Sequence, residues 1–193
     1  MQNITLPSTL TTIGDDPFLH TKVEYLFLPK NVQNLFTESS FDRMTSLVHF
    51  EVDEQNPYFC SIDGILFSKN KTILVHFPAA KNLSIYTIPT SVTIVGYGGF
   101  CRLKYLNYVI VPDTVIEFKG ANFYSSDIQC IDVFRYRGQP KLIFGGWSFR
   151  ESTFQESNIT YIYSSMICRT IYMFNYNNYR LYDFIFLFII FDT

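Results

Sequence analysis

Ser61, Asp63 and His76 have the side-chain types of a catalytic triad, which could carry out nucleophilic chemistry. A serine attacks a carbonyl when a histidine takes its proton and a carboxylate orients that histidine, with all three groups at hydrogen-bond distance. Such a triad would indicate a small hydrolase. Nothing in the sequence brings the three together, and each residue also suits a turn or a strand. We therefore predict a protein that is not an enzyme and has no catalytic residues.

Phosphate, metal and cofactor sites are not expected either. Gly96, Gly98 and Gly99 lack the spacing of a phosphate-binding loop, so this cluster predicts a structural turn. The cysteines and histidines lie too far apart for a zinc site, and no acidic cluster has the spacing of a calcium loop. The cysteines are Cys60, Cys101, Cys130 and Cys168, and the histidines are His20, His49 and His76.

The composition indicates a folded chain with an apolar core. Hydrophobic residues make up 48% of the 193 residues and charged residues 17%, which argues against disorder. The net charge is −2 and no dense basic run occurs, so a nucleic-acid partner is not expected. The longest apolar run, 184–191, is far shorter than the roughly 20 residues of a membrane span. Residues 1–10 lack the pattern of a signal peptide.

A repeat organises most of the chain. In four places an apolar residue and a proline precede a second apolar residue, and a phenylalanine follows 11 or 12 positions after the proline. The prolines are Pro7, Pro29, Pro89 and Pro112, and the phenylalanines are Phe18, Phe41, Phe100 and Phe123. The period is 22–23 residues, as in solenoid proteins built from short coils.

Each repeat predicts one short strand and one turn. The second half of the repeat ends in alternating apolar residues, which is the pattern of a strand with one buried face. The proline that follows removes a backbone donor and ends that strand. Stacked coils share one interior, so we expect the phenylalanines to line up coil over coil.

The repeat is interrupted once and then decays. Residues 53–88 contain two apolar runs around a polar turn and predict an inserted β-hairpin, with Asp63-Gly64 and Asn70-Lys71 as tight turns. Residues 134–163 predict a degenerate repeat, so the solenoid is expected to span 1–163. The segment 164–193 is rich in aromatic and apolar residues and has no repeat. It is either a cap on the last coil or a degenerate end.

The repeat resembles the BspA-like leucine-rich repeats of bacteria and parasitic protists. The residues that carry the resemblance lie at 59–67, 71–78 and 88–100, and the likeness extends over about 4–134 and faintly over 141–163. Gly99 stands where that family has alanine, and Leu103 where it often has cysteine. The resemblance implies a mainly β, right-handed leucine-rich-repeat solenoid with a parallel sheet along one side, here with 22–23-residue coils and one inserted hairpin.

The outward residues of the strands are the predicted binding site. They alternate with the buried positions on the concave side, and several are aromatic or apolar, which suits a partner surface. They are Tyr25, Phe27, His49, Glu51, Ile85, Thr87, Tyr108, Ile110 and Asp132, with Cys130 on the same side. We therefore expect a non-catalytic module that binds a protein or a cell-surface ligand.

Two alternatives remain open for the function: an intracellular scaffold of the same fold, and a nonfunctional fragment of a longer repeat protein. The family resemblance implies surface antigens and adhesion, but the compartment cannot be read from the residues. Sequons for N-glycosylation occur at Asn3, Asn70, Asn82 and Asn158 and are relevant only in a secreted chain.

Overall fold

The computed structural model describes residues 2–35, 40–41, 43–133, 142–146 and 172–173. These residues form strands and turns without a helix, and the strands stack in parallel as successive coils of a solenoid. The mainly β solenoid predicted from the repeat is therefore confirmed.

Two three-stranded parallel sheets contain the longer strands of the coils. The first long-strand sheet consists of β1 (Gln2–Ile4), β3 (Val23–Leu28) and β5 (His49–Val52). The second long-strand sheet consists of β9 (Ile85–Thr87), β11 (Tyr108–Val111) and β13 (Cys130–Val133).

The other side of the coils carries shorter strands. β2 (Thr12–Ile13) pairs with β4 (Asn34–Leu35), and a longer sheet continues beyond them. Its parallel strands are β8 (Ile73–His76), β10 (Ile94–Val95), β12 (Glu117–Phe118), β14 (Ile143–Phe144) and β15 (Tyr172–Met173). It begins with two antiparallel strands, β6 (Phe59–Ile62) and β7 (Ile65–Ser68).

The four repeat prolines form the same turn, each in its own coil. Each proline carbonyl accepts a hydrogen bond of 3.0–3.2 Å from the N–H three residues later. Proline cannot donate to the sheet, so the preceding strand ends and the chain folds back towards the interior. The acceptors are Pro7, Pro29, Pro89 and Pro112, and the donors are Leu10, Val32, Val92 and Val115.

The repeat phenylalanines stack within the core, as the repeat predicts. The ring centroids of Phe18 and Phe41 lie 6.2 Å apart with the planes 12° from parallel. Those of Phe100 and Phe123 lie 5.4 Å apart with the planes 6° from parallel. All four side chains are buried, so the aromatic column is part of the shared interior of the coils.

Two residues of the insert continue this column between Phe41 and Phe100. The ring of His76 lies 5.7 Å from that of Phe41, and the ring of Phe77 lies 5.5 Å from that of Phe100. The insert therefore belongs to a coil whose regular strand is β8, because β8 pairs with β10 as the other coil strands do.

The insert itself is larger than the single hairpin expected from the sequence. Strands β6, β7 and β8 form an antiparallel meander with two tight turns. The first turn has Asp63 and Gly64 at φ 51° and 77°, the conformation that favours Asp-Gly between paired strands. The second places Lys71 at φ 63°. Both predicted turns are present, and each of them closes a hairpin.

Strand β7 divides the core into two clusters. Leu66 packs with the cluster of the first long-strand sheet, whereas Ile65 and Phe67 pack with the cluster of the second. All three side chains are at most 2% exposed. A strand that is covered on both faces needs a continuous apolar run, which explains the sequence Ile-Leu-Phe at this point.

Asn56 holds the start of the insert to the preceding coil. Its Nδ2 donates to the carbonyls of Pro29 and Val32 at 2.9 and 3.0 Å, and its Oδ1 accepts the N–H groups of Tyr58 and Phe59 at 2.8 and 2.9 Å. The side chain is fully buried. It therefore satisfies four backbone groups at the junction where the repeat is interrupted.

The predicted degenerate repeat at 134–163 and the predicted tail at 164–193 fall mostly outside the described residues. Strand β14 lies in the first of these segments and β15 in the second, and the backbones of the two strands pair in parallel. The boundary after residue 163 stays a prediction.

Candidate binding face

The outward side chains of the first long-strand sheet form aligned pairs. Tyr25 of β3 lies opposite His49 of β5, and Phe27 lies opposite Glu51. The Tyr25 and His49 rings are 5.7 Å apart, and the Phe27 side chain is 38% exposed. Leu26 and its neighbours on the other face are buried, so the alternation expected from the sequence places these four residues outward.

The second long-strand sheet continues this arrangement. Ile85 of β9 lies opposite Tyr108 of β11, and Thr87 lies opposite Ile110, which in turn lies opposite Asp132 of β13. Ile85 is 56% exposed, the largest value among the exposed large apolar side chains of the described residues. The Tyr108 hydroxyl donates to Oδ2 of Asp132 at 3.1 Å, which orients both side chains.

We call the outward side of β3, β5, β9, β11 and β13 the strand face. It contains all nine residues that the sequence predicts for partner binding. Solvent-facing positions of a parallel solenoid sheet gain little from aromatic and aliphatic side chains unless a partner covers them. The strand face can therefore bury apolar area and offer carboxylate, hydroxyl and imidazole groups around it.

The strand face is divided by the meander. No Cα atom of β9 lies within 8 Å of a Cα atom of β5, although these strands belong to successive coils. The meander tip lies beside β5 instead: the Phe50 N–H donates to the Gly64 carbonyl at 2.9 Å, and the Ser61 hydroxyl donates to the Phe50 carbonyl at 2.6 Å. The single sheet implied by the resemblance is thus two sheets, because the insert enters between coils.

Ser61, Asp63 and His76 do not form a triad. Ser61 lies opposite Leu66 in the β6–β7 pair, and Leu66 lies opposite His76 in the β7–β8 pair. A whole strand therefore separates serine from histidine, which corresponds to roughly 10 Å between the backbones. The Ser61 hydroxyl bonds to a main-chain carbonyl, and Asp63 belongs to the exposed turn. These three residues therefore do not supply the hydrolase alternative with an assembled nucleophile.

His76 is instead part of the aromatic core. Its side chain is 3% exposed and its ring lies 5.7 Å from Phe41 and 5.9 Å from Phe50. Nε2 has no hydrogen-bond partner among the described residues. Burial lowers the pKa of His76 from 6.5 to about 4, because the imidazolium would lose its hydration among these rings.

The stability of the protein should depend on this histidine at mildly acidic pH. Above pH 6.5 the imidazole is neutral in both states and its contribution is fully present. As the pH falls from 6.5 towards 4, the unfolded chain binds the proton first, so about 3 kcal/mol of stability is lost. Urea unfolding at several pH values measures this loss. In His76→Phe this pH-dependent loss should be absent. Equal acid sensitivity of the two proteins would contradict the assignment.

The glycine cluster forms a turn, as the sequence predicts. The Gly96 N–H donates to the Leu74 carbonyl at 2.8 Å, and the Gly98 N–H donates to the Gly120 carbonyl at 2.9 Å. Gly98 has φ 60°, a conformation that glycine adopts without strain. These N–H groups are used between coils and do not converge on a phosphate position.

Gly99 has a packing reason for departing from the family's alanine. A Cβ atom there would lie 2.8 Å from Cγ1 of Val95 and 3.3 Å from Oδ1 of Asn122. Asn122 is fully buried, accepts the Phe100 N–H at 3.2 Å and donates to the carbonyl of Lys119 at 2.6 Å. The glycine thus makes room for an asparagine that joins two coils.

Within the described ranges, no group of three His, Cys, Asp or Glu side chains is placed to hold a metal ion. The same part of the chain contains no helix that is long and apolar enough to cross a membrane. Cys60 is a half-buried free thiol, and the side chain of Cys101 is buried. Burial raises the pKa of the Cys60 thiol, against the opposing effect of Lys71 and Lys69.

Sequence reasoning missed the groove between β5 and β6. It is about 520 Å³ in volume, and its walls include Glu51, Asp53, Glu54, Ser61 and Asp63. The dense acidic stretch that follows β5 was the available signal. Its significance depends on the position of β6, which the repeat pattern does not fix.

Comparison with known proteins gives a family and a fold. The family model described as the BspA type leucine-rich repeat region matches residues 1–83 and 72–187, with 6 copies of the repeat. The pneumococcal vaccine antigen PcpA is 25% identical and has a TM-score of 0.59, with 79% of this chain and 49% of PcpA covered. No curated protein matches the chain.

Two further solved structures support the fold. A leucine-rich repeat protein from Eubacterium ventriosum is 18% identical with a TM-score of 0.52, over 78% of this chain and 52% of that one. A leucine-rich cell surface protein from Faecalibacterium prausnitzii is 19% identical with a TM-score of 0.59, over 77% of this chain and 45% of that one. The chain spans about half the length of the solved structures it matches. Since the family model covers most of the sequence, the chain belongs to the BspA-type leucine-rich repeat family.

Proposed function

We propose that the protein is a non-catalytic module that binds another protein through its strand face. The observation that carries this proposal is the exposure of large apolar side chains in aligned rows. Phe27 is 38% and Ile85 is 56% exposed at outward strand positions. A partner that covers them gains about 25 cal/mol for each Å² of apolar surface removed from water.

The composition of the strand face supports a protein partner. Tyr25, Phe27 and Tyr108 supply rigid aromatic area, and such side chains dominate the energetics of protein interfaces. Glu51 and Asp132 place carboxylates beside them, so polar contacts can fix the orientation of the partner. We propose that these rows of side chains bind the partner together. No single residue among them has the neighbours that a catalytic side chain needs.

The relatives named above support a role at the cell surface, with a cell-surface ligand as the partner. One solved relative is a vaccine antigen and another is a cell surface protein. We therefore propose an adhesin-like or antigen-like role for this chain, and an intracellular scaffold of the same fold is the alternative. Labelling of intact cells separates the two, because only a surface protein reacts with an impermeant reagent. Asn82 begins a glycosylation sequon and is exposed. If a glycosylating cell secretes the protein, a glycan on Asn82 would therefore increase the mass of the protein.

Replacing Tyr25, Phe27 and Tyr108 together by alanine should weaken partner binding about 100-fold, if each aromatic ring contributes about 1 kcal/mol. The partner is first captured from labelled cell-surface proteins by the native protein, and its affinity for each variant is then measured by surface plasmon resonance. The unfolding midpoint should change little, because these side chains lie outside the core.

The matched control replaces exposed apolar residues on another side of the coils, Ile116→Ala together with Ile143→Ala. This control should bind as the native protein does. An equally large loss of binding in the control, or a loss of stability in the triple variant that matches a core substitution, would refute the role of the strand face.

A further inference from the structure

The pairing between strands of successive coils stops at one place in the described part of the solenoid. The coil that contains β4 and β5 is followed by the coil that contains β8 and β9, and no described strand of the first pairs with a strand of the second. The junctions on either side are paired twice: β2 with β4 and β3 with β5 before it, and β8 with β10 and β9 with β11 after it. We call the unpaired boundary the meander junction, because the meander lies there.

Isolated main-chain hydrogen bonds replace these ladders at the meander junction. The Ala80 N–H donates to the Leu47 carbonyl at 2.8 Å, and the Phe50 N–H donates to the Gly64 carbonyl at 2.9 Å. The hydrophobic core is divided at the same place, because β7 separates its two clusters. Since coils of a solenoid are coupled through the interfaces with their neighbours, we expect the coupling across this junction to be weaker than between paired coils.

The meander belongs to the later coils. β7 pairs with β8, and β8 pairs with β10, so hydrogen-bonded strands run from the meander to β14 without a break. The side of the meander that is turned to the earlier coils is apolar: Leu66 is buried against their core, and Phe59 is partly buried against it as well. The meander therefore covers the end of the later coils, as the terminal cap of a solenoid does.

The earlier coils form the smaller unit. The described chain before the meander contains two coils, one with β2 and β3 and one with β4 and β5, whereas solenoids generally need about three or more repeats to be stable. Their core is covered at the junction by Leu66 and by the ring of His76, which lies 5.7 Å from that of Phe41. Two coils without this cover would expose part of a small core to water, so they have little stability of their own.

We propose that the meander is an internal cap at which the solenoid opens. Strands β1 to β5 detach and unfold together, while the meander and the later coils stay folded. Such opening of one contiguous segment is a common form of local unfolding. The detaching segment carries Tyr25, Phe27, His49 and Glu51, so one of the two sheets of the strand face loses its structure when the junction opens. A partner that covers both sheets then binds the closed form alone, and this last step rests on the proposed function.

Hydrogen exchange of the full chain in increasing urea tests this opening without a partner. The protected N–H groups of β3 and β5 should exchange about tenfold faster or more than those of β11, after correction for their intrinsic rates. β3 and β5 should also share one dependence on urea, because they open together. Protection that rises gradually from coil to coil, or equal protection of β3, β5 and β11, overturns the proposal.

Two leucine variants locate the boundary between the units. Leu103→Ala, in the core of the later coils, should speed exchange in β11 about 30-fold or more, as expected when a buried leucine side chain is deleted. It should leave β3 and β5 unchanged, because the later coils are folded both before and after the earlier coils detach. Leu66→Ala deletes the same side chain from the meander and should speed exchange in β3 and β5 about 30-fold or more, because it removes part of their cover. Ile88→Val, a milder change in the core of the later coils, should repeat the pattern of Leu103→Ala with an effect of about fivefold.

Each result decides the proposal. Equal acceleration of β3, β5 and β11 by Leu103→Ala or by Ile88→Val would mean that the coils unfold as one unit, and it overturns the proposal. Unchanged exchange of β3 and β5 in Leu66→Ala overturns it as well. None of these variants alters Tyr25, Phe27 or Tyr108. If the captured partner depends on these aromatic residues while exchange is uniform along the chain, the proposed function stands and the opening at the meander alone fails.

Discussion

Replacing Phe100 with alanine should lower the free energy of unfolding by about 3–5 kcal/mol, the range for deleting a buried phenyl ring. The side chain is fully buried and its ring lies 5.4 Å from Phe123 and 5.5 Å from Phe77. Removing it opens a cavity in the aromatic column where the meander coil meets the next coil. Because coils are stabilised mainly by their neighbours, this loss weakens the contact between two coils and not only one side chain.

Urea unfolding followed by circular dichroism measures the effect. The matched control is Phe27→Ala, which deletes the same ring from a position that is 38% exposed and should cost about 1 kcal/mol or less. Similar losses at both positions would contradict the assignment of the phenylalanine column to the shared interior.

The regular coils were predictable from the sequence because their signals are local. Pro112 ends a strand through its own ring, and its carbonyl bonds to an N–H only three residues later. Phe123 follows at a fixed interval and stacks on the equivalent ring of the preceding coil. Such features need no knowledge of distant contacts, so the spacing of one coil predicts the next.

The meander could be predicted only in part. Its turns were identified correctly, since Asp63-Gly64 has an intrinsic preference for a tight turn. That β7 divides the core could not be predicted, because a short apolar run does not show which distant segments cover its two faces. His76 likewise occupies the aromatic column in a coil whose spacing the insert has shifted.

The outward residues of the strand face followed from alternation, but their grouping did not. The period of a strand determines that Tyr25 and Phe27 point to one side and Leu26 to the other. The separation of β5 from β9, and the groove beside β6, depend on where a distant segment inserts between coils. The role of these residues in binding stays a prediction.

Asn56→Ala should destabilise the protein by about 4 kcal/mol, if each of its four hydrogen bonds contributes about 1 kcal/mol. Alanine leaves the carbonyls of Pro29 and Val32 without these partners in a buried position. Their donor, Nδ2 of Asn56, lies 27 and 24 residues further along the chain, so no local pattern of residues predicts this contact. Loss of the contact should detach the meander from the coil before it.

Asn31→Ala is the control, because Asn31 also donates to a carbonyl of the preceding coil, that of Ser8 at 2.8 Å, but is exposed. Water replaces the lost partner there, so the cost should stay below about 1 kcal/mol. Hydrogen exchange distinguishes a local from a general effect: in Asn56→Ala the N–H groups of Tyr58 and Phe59 should exchange fastest relative to the native protein. Uniform loss of protection over all coils would mean that Asn56 contributes general stability and does not hold the insert, and the groove beside β6 would then need another explanation for its shape.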